Sequence, residues 1–103
     1  PLNDNKAELM GPLVLNKTIT FTDQDATPSV ADGSRFTIAN TAPTTITNFT
    51  SGYDGQTIYT ISTGTTTTFK NNATIAPVSG ADTTMTTNKI YKFLLDGTVW
   101  REY

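Results

Sequence analysis

The residues that could do chemistry are few, and most of them are carboxylates. The 103-residue chain has no histidine and no cysteine. That removes the commonest general base and metal ligand, and all thiolate chemistry. A nucleophile needs an adjacent base, so only carboxylates and lysines remain as candidates. Asp23 and Asp25 stand two apart, so in extended chain they point the same way and could share a cation. Two carboxylates fall short of the ~6–8 oxygen ligands that calcium takes. Aspartate also caps turns routinely, and turn capping is the reading adopted here. Asp54 and Asp96 each precede a glycine and read as turn residues. No glycine-rich phosphate cradle is present. The expectation is a protein with no catalytic residues, no metal and no cofactor.

Tyr53, Tyr59, Tyr91 and Trp100 are the residues from which a sugar-stacking platform would be built. Aromatic side chains dominate cores and subunit contacts as well, and that reading is preferred. Asn16, Asn48 and Asn72 each begin an Asn-x-Thr triplet, the acceptor pattern for glycosylation. Threonine makes up over a fifth of the chain, so chance produces such triplets and they carry no weight. A net charge of −2 does not suit a nucleic-acid partner, whose phosphates are neutralised by Lys and Arg. No apolar run approaches the ~20 residues of a membrane span. No basic start precedes an apolar stretch, so no secretory signal is read.

The elements that must position these residues are strands. Threonine is β-branched, and the chain is punctuated by Gly, Asn, Asp and Pro, which reads as all-β. The clearest element is 89–103, with Asp96-Gly97 between two alternating apolar runs. It predicts a hairpin with strands 89–95 and 98–103. In that register Leu94 opposes Val99, Phe93 opposes Trp100, Lys92 opposes Arg101 and Ile90 opposes Tyr103. Tyr91, Phe93, Leu95 and Trp100 share one face, a core. Ile90, Leu94, Val99 and Tyr103 share the other with Lys92 and Arg101. That second face is too apolar for plain solvent and too basic for a core, so these six residues form a candidate subunit interface. A half-exposed face covered by the Lys and Arg stems is the competing reading.

Upstream, 13–22 alternates as a strand, and 23–34 reads as a connection. Phe36 and Ile38 alternate in a strand from Arg35, and Ala42-Pro43 breaks it. In 44–49 the spacing of Ile46 and Phe49 is irregular, as at a bulge or a strand end where Phe49 folds over the core edge. In 56–62 Ile58 faces one way while Tyr59 and Ile61 face the other, as in a strand covered on both sides. Gly64 turns the chain into 65–69, Asn71-Asn72 turns it again before Ile75, and Met85 lies in a further short strand. The sum is an antiparallel, jelly-roll-like β-sandwich of about eight short strands over 13–103. Residues 1–12 form an arm. Its Asn5 to Glu8 spacing resembles a helix cap, ended by Gly11-Pro12, and Leu2, Leu9 and Met10 are its candidate contact residues.

The pieces FTDQDATPSV (21–30), TTITNF (44–49), GYDGQTIYTI (52–61), FKNNATI (69–75) and DGTVWREY (96–103), in this order, resemble a small β domain of tailed-phage structural proteins. That domain is often found at the C-terminal end of tailspikes and tail fibres. The resemblance covers about four fifths of the chain. It implies a jelly-roll-like domain that assembles as a homotrimer on a virion, and no catalytic residues. Pro1 reads as a start exposed by loss of an initiator methionine. On that expectation the chain is a stand-alone capsid decoration protein whose arm contacts the major capsid protein. The alternative is a C-terminal trimerisation or receptor-binding domain of a tailspike or tail fibre, which would bring a host surface glycan as partner.

Overall fold

The structure, a computed structural model, describes residues 18–103. The arm, with Leu2, Leu9 and Met10, lies outside the described residues. Nine strands are described: β1 (Thr18–Thr20), β2 (Arg35–Ile38), β3 (Thr44–Ile46), β4 (Thr57–Ser62), β5 (Thr67–Phe69), β6 (Ile75–Ala76), β7 (Thr83–Thr84), β8 (Ile90–Asp96) and β9 (Val99–Glu102). They form a six-stranded sheet in the order β1-β2-β4-β8-β9-β6 and a three-stranded sheet in the order β3-β5-β7. No helix occurs among the described residues. The all-β sandwich is what the Thr-rich, turn-punctuated sequence implied.

Strand directions depart from the antiparallel expectation. Of the seven ladders, β1–β2, β2–β4, β3–β5 and β6–β9 are parallel. The antiparallel ones are β4–β8, β8–β9 and β5–β7. The cause lies in the chain path. From β2 to β8 the chain alternates between the two sheets. β4 returns beside β2, and β5 beside β3, after one strand in the opposite sheet, and each re-enters in the same direction, the crossover that parallel pairing requires, whereas β7 returns antiparallel to β5. Parallel partners are 24 residues apart in one sheet (Arg35 with Tyr59) and 23 in the other (Thr44 with Thr67). These two turns stack like rungs of a flattened coil, and a parallel bridge between Ser29 and Thr50 extends the stacking.

The core fills the space between the sheets. Phe36, Ile38, Ile58, Tyr91, Phe93, Leu95 and Trp100 come from the large sheet, and Ile46 and Phe69 from the small one. Burying each such side chain stabilises by ~1.5–3 kcal/mol. Phe49, three residues past the end of β3, is central rather than peripheral. Its ring lies 5.3 Å from Phe93, 5.6 Å from Trp100, 6.0 Å from Phe69 and 6.2 Å from Phe21. Its carbonyl accepts the Trp100 indole N–H at 3.0 Å. The irregular spacing of Ile46 and Phe49 therefore marks a strand end. The chain turns inward there and donates one aromatic to both sheets.

The buried amide side chains of Gln56 and Asn40 are satisfied, as a low-dielectric interior demands. Gln56 donates from Nε2 to the carbonyls of Val30 and Gly33 and accepts the Tyr53 amide at Oε1. Asn40 donates to the Thr67 hydroxyl and accepts the Gln24 amide. A Cβ on Gly64 would lie 2.4 Å from the Asn40 carbonyl oxygen, so only glycine lets the two rungs approach there.

The closing hairpin keeps its predicted faces in a shifted register. Val99 pairs with Asp96, Trp100 with Leu95, Arg101 with Leu94 and Glu102 with Phe93. The turn is therefore Gly97-Thr98, one residue later than the Asp96-Gly97 expectation. Gly97 has φ +64° and Thr98 is not among the positive-φ residues, which suits a hairpin turn with glycine first. Asp96 thus avoids the left-handed region and stays in β8. The shift moves each partner by two, and faces repeat with period two, so every side chain keeps its side. It also removes a clash. Lys92 and Arg101 are no longer opposite each other, and Arg101 donates from Nε to Asp96 at 2.9 Å.

Candidate functional site

The carboxylates are occupied by turns. Asp23 accepts the amide and hydroxyl of Thr41, while Asp25 accepts the Thr27 amide. The two aspartates serve different caps and do not converge. The Thr41 hydroxyl, and then its amide, hold the Asp23 carboxyl below its ordinary value of 3.8. Asp82 is lowered in the same way, chiefly by the Asn71 amide and further by Lys70, whose ammonium lies 3.3 Å away. Asp54 accepts the Gly97 amide and ties its loop to the hairpin turn. Among the described residues no cluster of three or more acidic groups could hold a metal ion.

The four aromatics considered for a sugar platform are dispersed. Tyr91 and Trp100 are buried in the core. Tyr53 sits exposed in the turn before β4, and Tyr59 lies on the outer face of the large sheet.

That outer face is where the structure gathers exposed apolar and cationic side chains. The six candidate interface residues, Ile90, Lys92, Leu94, Val99, Arg101 and Tyr103, all lie on it. Strand register adds residues that the hairpin alone did not identify. One row runs Thr18, Arg35, Tyr59, Lys92 across β1, β2, β4 and β8. Tyr103 completes it, its amide donating to the Lys92 carbonyl at 3.0 Å while the Lys92 ammonium lies 5.2 Å from its ring. A second row runs Thr37, Ile61, Ile90. A third runs Thr57, Leu94, Arg101, Ala76. Ile90 is 58% exposed, Tyr103 55%, Tyr59 41% and Leu94 39%. Exposed apolar side chains gathered on one sheet face are the kind of surface from which interaction sites are built. Tyr, Arg and aliphatic groups on one face also match the composition of interface cores.

The face is basic. Arg35, Lys92 and Arg101 lie on it, and its one acid in the described strands, Asp96, is engaged by Arg101. Between the first two rows lies a groove of about 120 Å³, lined by Thr18, Arg35, Tyr59, Ile61 and Ile90. Arg35, Tyr59 and Ile61 were not part of the hairpin-based prediction. The signal for two of them was present: Tyr59 and Ile61 alternate away from Ile58. What the sequence could not show is that β4 lies beside β8.

The family described as phage depolymerase C-terminal beta sandwich domain matches residues 17–101. The chain belongs to this family. No curated protein and no solved structure matches it significantly. A phage depolymerase C-terminal β-sandwich domain is a tailspike-type structural component, and the virion tail is where such a component resides.

Proposed function

We propose that this domain is a non-catalytic assembly module of a phage tail protein, joining three copies through the outer face of its six-stranded sheet. The observation that carries the proposal is that face: four large apolar side chains left exposed on a rigid sheet, with cations between them. Covering each of the four would stabilise the assembly by about 1–2 kcal/mol, since they are only part-exposed. Three copies is the number implied by the resemblance seen in the sequence, and closed cyclic assembly is the usual form for like chains. Family membership favours this tail role over capsid decoration.

The test is mass in solution. At micromolar concentration light scattering should report three chains. Ile90→Asp combined with Leu94→Asp should give a monomer with an unchanged β circular-dichroism spectrum. A monomeric wild-type chain, or a double variant that remains trimeric, would overturn the proposal. A host surface glycan is the rival occupant, because a row alternating Arg35, Tyr59, Lys92 and Tyr103 also suits stacking on sugar rings. It predicts a monomer whose tyrosine fluorescence responds to host polysaccharide.

A further inference from the structure

The dipeptide Asp-Gly occurs at 32–33, 54–55 and 96–97, and Asn-Gly does not occur in the chain. Glycine has no side chain to shield its amide. Its nitrogen can therefore reach the carboxyl carbon of the preceding aspartate and close a five-membered imide. Asp32, Asp54 and Asp96 are all exposed, so neither exposure nor local sequence separates the three pairs. What separates them is how each carboxylate and each amide is held.

At 54–55 both reacting groups are engaged elsewhere. Asp54 Oδ1 accepts the Gly97 amide at 2.8 Å, and the Gly55 amide donates to the Leu95 carbonyl at 2.7 Å. The same holds at 96–97. Asp96 Oδ2 accepts from Arg101 Nε at 2.9 Å, and the Gly97 amide is the one that Asp54 holds. At 32–33 neither restraint exists among the described residues. The Asp32 carboxylate accepts no hydrogen bond and forms no ion pair there, and no bond ties the Gly33 amide to another segment. That loop is held by its carbonyls instead: Val30 and Gly33 both accept from Gln56 Nε2, at 2.9 and 3.2 Å.

We infer that Asp32-Gly33 is a site of spontaneous isoaspartate formation, and that the modification undoes the Gln56 clasp. The Gly33 nitrogen bonds to Asp32 Cγ, and a carboxyl oxygen leaves as water with the amide proton and the carboxyl proton. Water then opens the imide. Attack at Cγ restores aspartate, whereas attack at the main-chain carbonyl carbon routes the backbone through Cβ and Cγ. Nothing is oxidised or reduced, and the mass returns to its starting value. The isomer carries one more main-chain atom between Val30 and Gly33, so Gln56 loses its reach to one of the two carbonyls. None of this depends on how copies associate.

The test is ageing of the full chain in mildly acidic buffer, where carboxyls carry the proton that lets water leave. After digestion, isomeric peptides separate on a reversed-phase column at unchanged mass, and electron-transfer fragmentation locates the change. Isoaspartate should accumulate at 32 at least roughly tenfold faster than at 54 or 96, because a held site reacts only through local opening. Asp32→Glu, which would need a six-membered ring, should abolish it. Asp54→Ala/Arg101→Gln releases both restraints at 96–97 and should bring that site to the rate seen at 32–33. Equal rates at the three sites, or an unchanged rate at 96–97 in the double variant, would overturn the inference. The isomerised fraction should also unfold at lower urea than fresh protein; an identical midpoint would refute the loss of the clasp.

Discussion

A close approach of the backbone to a core side chain offers a test of the packing by double-mutant cycle. Gly52 lies against the Trp100 indole: a Cβ built there would sit 2.5 Å from Trp100 Cζ2, 3.0 Å from Gln56 Oε1 and 3.1 Å from Leu95 Cδ2. Gly52 is not among the positive-φ glycines, so alanine is compatible with the backbone and the clash alone opposes it. Gly52→Ala should cost ~1–3 kcal/mol for the overlap, offset by ~0.4–1 kcal/mol from a less flexible unfolded chain. Trp100→Phe removes the outer indole ring that carries Cζ2 and also the donor to the Phe49 carbonyl. Leaving that buried carbonyl unpaired costs ~1–3 kcal/mol, and the vacated volume adds a cavity term. In the phenylalanine background the new methyl enters vacated space. The double variant should therefore be more stable than the sum of the singles by ~1 kcal/mol or more. Urea unfolding followed by circular dichroism measures all four corners, at one fixed protein concentration because association adds to apparent stability. Additivity within ~0.5 kcal/mol would refute the reasoning, since it would mean that Gly52 and Trp100 do not touch.

Other outcomes follow from single features. Trp100→Ala should cost ~3–5 kcal/mol in the same unfolding assay; a change under about 1 kcal/mol would mean that the indole is not a core element. Gly97→Ala should cost ~1–2 kcal/mol through backbone conformation alone, because no atom lies within 4 Å of the added Cβ; Gly97→Asn should cost less in thermal melts. Gln56→Ala strands two carbonyls and one amide and should cost roughly 3 kcal/mol in urea. Asp23 and Asp82 have depressed folded-state values. Their contribution is present above the ordinary carboxylate value and is lost as pH falls through the folded one. Stability should decline on acidification below 3.8, and Asp23→Asn should flatten that decline in urea midpoints taken across the acid range.

Much of the fold was legible because strand faces alternate whatever the pairing. Tyr91, Phe93, Leu95 and Trp100 were separable from Ile90, Leu94, Val99 and Tyr103 by period alone, and a two-residue change of register preserved that division. The turn itself was misplaced by one residue. A glycine with positive φ serves either of two hairpin turns, and the Asp96–Arg101 ion pair that accompanies the second is visible only in three dimensions. Parallel pairing was not legible, because short Thr-rich strands carry no mark of direction. That gap limited the candidate site. The hairpin half of the outer face could be named residue by residue, whereas Arg35, Tyr59 and Ile61 joined it only through β2 and β4.

The order of strands in the large sheet bears on biosynthesis. β8 and β9, the last two strands in the sequence, lie inside the sheet, with β4 on one side and β6 on the other. Until β8 is in place, β4 lacks its antiparallel neighbour, and β6 has no neighbour in the sheet until β9 arrives. Phe93 and Trp100, which close the aromatic cluster around Phe49, also arrive only then. The earlier strands have no complete core while they emerge from the ribosome. A chain cut short before Ile90 would present unpaired strands and an open core to proteolysis. Placing this hairpin mid-sheet thus makes synthesis through β9 a condition of completing the core, so that copies cut short before it are excluded ahead of any assembly step.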